Sequence, residues 1–185
     1  PYPVNEMNVL LKHQPPSFAH FFGTDQFGRD IFSRVMEGAS TSFFIALCVV
    51  LVGAGIGTFV GSVTAYYGGI LDAVLMRVND VLAAFPSVLL AVCFVAVIGA
   101  GTYKLIVALG IVFIPSFTRV VRSAVLVQKE LDYVRNAKLM GAKDLRILVF
   151  HILPNIKPVL KTSLLVGFQN AVLSEAGMSY LGLGV

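Results

Sequence analysis

Asp132-Tyr-Val-Arg-Asn-Ala-Lys-Leu-Met-Gly-Ala-Lys-Asp-Leu-Arg-Ile-Leu-Val-Phe-His-Ile-Leu-Pro154 is a basic, turn-bearing stretch between long apolar runs, and its reading decides the fold. Of the 14 Lys and Arg residues, nine lie between Arg119 and Lys161, opposed there only by Glu130, Asp132 and Asp144. That window carries a net charge of +6 in a chain that sums to +4, which leaves −2 for the remainder. Basic residues beside membrane spans stay on the cytoplasmic side, so the stretch orients the chain and offers a soluble partner a surface to hold.

The flanking runs belong in a membrane. A chain of 185 residues that is 57% hydrophobic and 13% charged has too little polar surface to clothe a soluble domain. The positive charge is concentrated beside the spans, which fits anionic lipid and the positive-inside bias better than nucleic acid. Cys48 and Cys93 fall inside apolar runs without metal-like spacing and read as packing residues.

Residues 1–40 are polar and broken by Pro3, Pro15, Pro16, Gly23 and Gly28, and are expected to lie outside as a loop leading into the first span. Residues 41–127 are expected to hold three spans. The first, 43–67, has no charge, and its roughly 25 residues reach about 37 Å, enough for a hydrocarbon core of about 30 Å. Its Gly53, Gly55, Gly57 and Gly61 would let another helix come close. Gly68-Gly69 reads as a turn, followed by a second span over 81–98, reached through Asp72, Arg77, Asn79 and Asp80 and kinked at Pro86. Gly99-Ala-Gly-Thr-Tyr-Lys104 reads as a short hairpin. A third span starts at Leu105, contains Pro115, and carries Arg119 and Arg122 where they could snorkel to the interface.

Residues 128–157 are the expected cytoplasmic loop. Asp132 is expected to cap one short helix and Gly141 to end it in a left-handed conformation. Asp144 is expected to cap a second that Pro154 terminates. Residues 158–185 form an expected fourth span, and Glu175 is the one acid deep within an apolar segment. With the loop inside, alternation places residues 1–40 outside. Since the chain starts Pro1-Tyr-Pro-Val without a signal segment, a further span is expected upstream and another downstream.

These residues resemble a family. The stretch is similar to the loop motif of ABC importer permease subunits, Glu-Ala-Ala, three residues, Gly, nine residues, Ile, one residue, Leu-Pro. Ala137, Gly141, Leu153 and Pro154 match in type and spacing, Arg135 and Asn136 replace Glu-Ala, and His151 holds the Ile position. Phe22-Gly-Thr-Asp-Gln-Phe-Gly-Arg-Asp30 resembles a signature of the dipeptide, oligopeptide and nickel branch. Asp80-Val-Leu-Ala-Ala-Phe-Pro86, Arg119-Val-Val-Arg122, His151-Ile-Leu-Pro-Asn155 and Ser174-Glu-Ala-Gly-Met-Ser-Tyr-Leu-Gly-Leu-Gly184 are similar to that branch as well.

The resemblance implies an all-α membrane protein, the transmembrane domain of a type I ABC importer, with four spans of an expected six and a cytoplasmic coupling-helix loop. It implies a multi-pass subunit of a bacterial or archaeal inner membrane that moves short peptides, nickel or nickel chelates. Its partners would be a second permease subunit, two ATP-binding subunits and an extracytoplasmic solute-binding protein. A heterodimer is expected, with a homodimer as the other arrangement. Ala137, Gly141, Ala142, Asp144, Leu153 and Pro154 would form the ATPase-coupling loop. ATP would bind to the partner subunits, and no cofactor or metal to this one.

Other readings are weighed against this. Glu175 could carry a proton or cation in a self-contained secondary transporter or channel, or act as a buried anchor. A nucleic-acid reader built on 132–151 is disfavoured by the spans close on both sides. His151 has no ligand-spaced partner and reads as interfacial. Asp25, Arg29 and Asp30 read as caps and a local ion pair rather than an external site. No Gly-x-x-x-x-Gly-Lys-Ser/Thr loop or nucleophile–base pair occurs, so the chain is not expected to hydrolyse ATP.

Overall fold

The computed structural model describes residues 2–99 and 101–183. Two compact units, Pro1–Phe44 and Ile45–Val185, make up the chain.

In the first unit, a short 3₁₀ turn at Val9–Leu11 and a single antiparallel bridge between Thr24 and Asp30 order an otherwise irregular loop. Asp25 is its organising side chain. Its carboxylate accepts hydrogen bonds from the backbone N–H groups of Phe27 and Arg29 and, at 2.7 Å, from Arg29 Nε. Asp30 caps the helix that follows. Its Oδ2 accepts from Ser33 N (2.8 Å) and Ser33 Oγ (2.7 Å), and its Oδ1 lies 2.9 Å from Nδ1 of the buried His20. The expectation of caps and a local ion pair therefore holds at these residues. Partial burial would raise the Asp25 carboxyl, but the backbone and Arg29 hydrogen bonds outweigh it and hold the group at about 2, against an ordinary 3.8.

Helix α1 (Ile31–Tyr67) is 37 residues long, about 55 Å, so it starts well before the expected span at 43 and exceeds the hydrocarbon thickness. Gly68 and Gly69, both at positive φ, turn the chain into α2 (Gly69–Ala83). The segment expected to be a mere approach to the second span is thus a helix of its own. Instead of a kink at Pro86, the chain breaks between α2 and α3 (Ser87–Ile98), whose axes differ by 91°. Pro86 cannot donate a backbone hydrogen bond, and it disfavours helical geometry at Phe85.

Gly99 and Gly101, with φ of 95° and 138°, reverse the chain into α4 (Thr102–Lys129), while Ala100 of this hairpin lies outside the described residues. α4 continues through Pro115. The basic stretch forms α5 (Asp132–Leu139) and α6 (Asp144–Ile147), then a π-helical segment (Leu148–Ile152), α7 (Leu153–Asn155) and α8 (Lys157–Tyr180). Among the described residues, α1 and α4 are long and apolar enough to cross a membrane, and the bent pair α2–α3 would make a third span. The expected fourth span is the 24-residue α8, long enough to cross but polar at intervals. Gly184 and Val185, at its expected end, lie outside the described residues.

α4 is the central helix of the second unit. Gly53, Gly57 and Gly61 form one ridge of α1 against it, where added Cβ atoms would fall 2.9 Å from Phe113 Cβ, 2.6 Å from Phe117 Cβ and 2.6 Å from Thr118 O. Gly110 of α4 answers from the other side, 2.8 Å from Val52 Cγ1 by the same construction. Gly55, expected to share this role, faces open space. The ridge lets two backbones meet without side chains between them, the arrangement by which membrane helices pack in the absence of a hydrophobic driving force.

Gly57→Ala should push α1 away from α4 and destabilise the unit by about 1–3 kcal/mol, as overpacking does. Gly55→Ala should be neutral or slightly stabilising. Thermal unfolding of the two variants in detergent would compare them. The Asp25 carboxylate supports the loop fully above about 3.8, and that support is lost as pH falls through about 2. NMR shifts of the Phe27 and Arg29 amides should titrate together with a midpoint near 2. A midpoint near 3.8 would mean that these bonds do not form in solution.

Candidate functional site

The basic stretch folds as a closed helix–turn–helix. α5 ends in a Schellman motif: Gly141, at φ +82°, donates from its N–H to Lys138 O (2.9 Å), and Ala142 N–H reaches back to Ala137 O (3.0 Å). Two of the last orphan carbonyls of the helix are satisfied this way, and the half-buried Ala137 and Ala142 both pack on the same apolar cluster. The spacing of Ala137, Gly141 and Ala142 is therefore that of one helix stop.

The expected caps differ. Leu131 and Lys143, both extended, occupy the N-cap positions, and Asp132 and Asp144 fall one residue inside their helices. The Leu131 carbonyl already accepts from Val134 N–H and Arg135 N–H, so the helix begins a residue earlier than a side-chain cap would start it. Both carboxylates still face the positive end of a helix dipole. Asp144 makes a long-range bond as well: Tyr66 Oη, at the end of α1, donates to its Oδ1 at 2.7 Å. Lys129 and Lys138 stand 5.9 and 5.4 Å from the Tyr66 ring centroid, and Lys129 Nζ donates to Ala65 O at 3.4 Å. Beneath them Val121, Val125, Val134, Ile147 and Ile152 are buried together, with Leu153 packed alongside.

Nor does Pro154 terminate the second helix. It has no N–H, and its ring would strike the carbonyl of Phe150 in a regular α-helix. The π segment just before it widens the turn, Leu153 N–H bonding to Leu148 O, and helical structure resumes through α7 into α8. His151 sits in this segment with Nδ1 3.3 Å from Arg146 O, and Asn155 Nδ2 donates to His151 O. The outer face is both basic and apolar. Leu139 and Met140 are 86% and 88% exposed, and Leu145 and Phe150 are exposed beside Lys143 and Arg146. Two depressions of about 620 and 530 Å³ flank Arg146 and His151 on this face. Exposed apolar side chains rimmed by charge mark a protein or membrane contact.

Arg119 and Arg122 do not snorkel freely. Arg122 makes a two-pronged ion pair with Asp72 of α2 (2.8 and 2.7 Å), and Arg119 pairs with Asp80 at 3.0 Å. Glu175 is 4% exposed on α8, and its Oε1 accepts from Ser179 Oγ one turn on (3.0 Å). Among the described residues no three His, Cys, Asp or Glu side chains converge as metal ligands. Tyr66, Asp72 and Asp80 are the partners that the sequence alone does not announce. The acids on α2 at a spacing of two turns opposite two arginines on α4 carry a faint signal, whereas Tyr66 lies 78 residues from Asp144 and carries none.

Apolar helices joined through a basic helix–turn–helix define a multi-span membrane component. The chain belongs to the family of binding-protein-dependent transport system inner membrane components, whose sequence profile matches residues 53–185. It is 44% identical over 180 residues to a putative peptide transport system permease protein of Brucella suis biovar 1, covering 97% of this chain and 60% of that one. It is 42% identical over 172 residues to the glutathione transport system permease protein GsiD of Pectobacterium atrosepticum, covering 93% and 57%. To GsiD of Escherichia coli O6:K15:H31 it is 43% identical over 169 residues, covering 91% and 56%. The chain thus spans at most 60% of the length of these relatives. Its fold is shared with an inward-facing structure of the MetNI methionine ABC transporter, with a TM-score of 0.64 at 20% identity over 81% of this chain and 73% of that one.

Removing the Tyr66 hydroxyl should loosen the α6 end of the element while leaving the spans intact. Tyr66→Phe is expected to cost about 1.5–3 kcal/mol, the range for a hydrogen bond to a charged group. Hydrogen exchange should speed up at the amides of residues 144–148 and remain unchanged in α4.

Proposed function

We propose that this chain is the membrane-embedded core of a permease subunit in an ATP-driven importer of short peptides. The Schellman-closed turn at Gly141, pinned to α1 by Tyr66 and Asp144, carries the reading. It joins the basic outer face of 132–151 rigidly to α1, α4 and α8, so a displacement of that face moves the helices with it. In this reading the loop 128–157 is cytoplasmic and docks an ATP-binding subunit through Leu139, Met140 and Leu145 with Lys143 and Arg146, while residues 1–40 face outward. Ala137, Gly141, Ala142, Asp144, Leu153 and Pro154 shape the contact from beneath. ATP binds and is hydrolysed on two partner subunits, a second permease subunit completes the path, and an external binding protein delivers cargo. Relatives named for peptide and glutathione transport favour peptides over nickel as that cargo.

Glu175 serves as an anchor of α8 in this reading, since it is buried and bonded to Ser179 on its own helix. A self-contained secondary transporter driven through Glu175 gains no support from that arrangement.

Reconstitution of the full-length subunit with its partners in proteoliposomes tests the proposal. ATP-driven tripeptide uptake should require every component. Gly141→Val, which forces a β-branched residue to φ +82°, should lower uptake and transport-stimulated ATP hydrolysis together at normal assembly. Uptake by the subunit alone on a proton gradient, abolished by Glu175→Gln, would overturn the proposal.

A further inference from the structure

α2 turns its polar side inward and its apolar side outward, the reverse of a helix on a water-soluble surface. Asp72 and Asp80 face α4, where Arg122 and Arg119 pair with them, and Asn79 is buried on the same side. The opposite stripe consists of Ile70, Val74, Val78 and Val81, each about one turn after the last, and they are 84, 55, 57 and 62% exposed. Arg77 lies beside this stripe, exposed as well, and makes no ion pair among the described residues. Both acids of the helix are already neutralised, so α2 carries one uncompensated positive charge at the edge of an apolar face.

Two independent lengths fix where this helix lies. The 12-residue α3 is about 18 Å long, too short to cross a hydrocarbon core of about 30 Å alone, and α2 leaves it at 91°. With α3 upright, α2 runs along the membrane plane. Its depth follows from α4: at about 1.5 Å per residue, Arg119 and Arg122 lie about 25 and 30 Å below Thr102 at the hairpin end, so their partners on α2 stand at the far boundary of the core.

At that boundary the outer stripe meets either acyl chains or another protein. Close seats between membrane helices are built on small residues, as in the Gly53, Gly57 and Gly61 ridge of α1, whereas the α2 stripe holds only Ile and Val. An apolar stripe bordered by a free arginine suits a helix lying in the interface, its aliphatic side chains among acyl chains and its guanidinium at the level of the phosphates. On the membrane reading proposed above, we infer that α2 is an in-plane helix at the inner boundary and that its outer face binds an anionic phospholipid of that leaflet. The acyl chains lie on Ile70, Val74, Val78 and Val81, and Arg77 takes the phosphate through paired N–H donors. Because Asp72 and Asp80 tie the same helix to α4, the lipid braces the bend between α2 and α3 from outside.

The test uses the complete assembly in phosphatidylcholine nanodiscs. A fluorophore is attached to Val78→Cys in a Cys48→Ser, Cys93→Ser background before the subunit meets its partners, and spin-labelled phosphatidylglycerol or spin-labelled phosphatidylcholine is added as quencher. Half-maximal quenching should need about fivefold less phosphatidylglycerol than phosphatidylcholine, the effect of one basic residue at an anionic surface. Arg77→Gln should make the two lipids equivalent, and Arg77→Lys should keep most of the preference. Equal quenching by both lipids with Arg77 in place would overturn the anionic site, and quenching by neither would overturn the lipid face altogether, since protein would then cover the stripe. ATP-driven tripeptide uptake by the same assembly in proteoliposomes separates this inference from the one it rests on. Normal uptake with either failed pattern overturns the lipid site alone, whereas absent uptake with the preference intact overturns the importer reading and leaves the lipid site standing.

Discussion

Backbone contact between α1 and α4 is the constraint on which the second unit rests. Glycine recurs at every fourth residue of α1 over 53, 57 and 61, and each of these positions meets α4 where even a methyl group would collide. Close approach on that seam brings Tyr66 within reach of Asp144, and Ala65 within reach of Lys129, at the end of the same two helices. A wider α1–α4 separation would take Tyr66 away from Asp144 and leave the basic element held to α4 by the aliphatic cluster alone. The seam between the spans and the joint to the loop are thus parts of a single packing problem.

The joint itself combines weak devices that act in series. A positive-φ glycine stops α5, two alanines close the stop, a tyrosine ties down α6, and an aliphatic cluster seals the space below. Each contributes about a kilocalorie or a few, and together they tie the element to the ends of α1 and α4. The two ion pairs between α2 and α4 have a similar effect on the other side, holding a helix that leaves α3 at nearly a right angle.

Much of this was legible in the residues. Composition and the charge-free run gave the membrane class, the +6 window located the basic element, and Gly141 announced a left-handed stop, because each depends on local chemistry. Asp132 and Asp144 stand one residue inside their helices rather than at the caps, a difference the sequence does not carry, because a carboxylate at the start of a helical pattern looks the same in either place. Pro86 and Pro154 depart from the expected outcome in opposite directions. At Pro86 the chain broke where a kink was expected, and at Pro154 it stayed helical where a stop was expected, since the outcome depends on whether neighbouring residues can absorb the missing bond. The pairs Tyr66–Asp144, Asp72–Arg122 and Asp80–Arg119 join residues 39 to 78 positions apart, and periodicity within a helix holds no information about them.

The π segment at Leu148–Ile152 also separates two orientations that a regular helix would lock together. One residue added to a turn rotates everything beyond it by about 100°, the step per residue of an α-helix. The side that 144–151 turns outward, with Leu145 and Phe150, and the side of α8 that holds Gly167 and Ala171 against α4 therefore need not share a stripe. Sequence change could then remodel the outer surface without disturbing the seating of α8. In evolutionary terms this one surplus residue is a swivel between the outer surface and the packing inside.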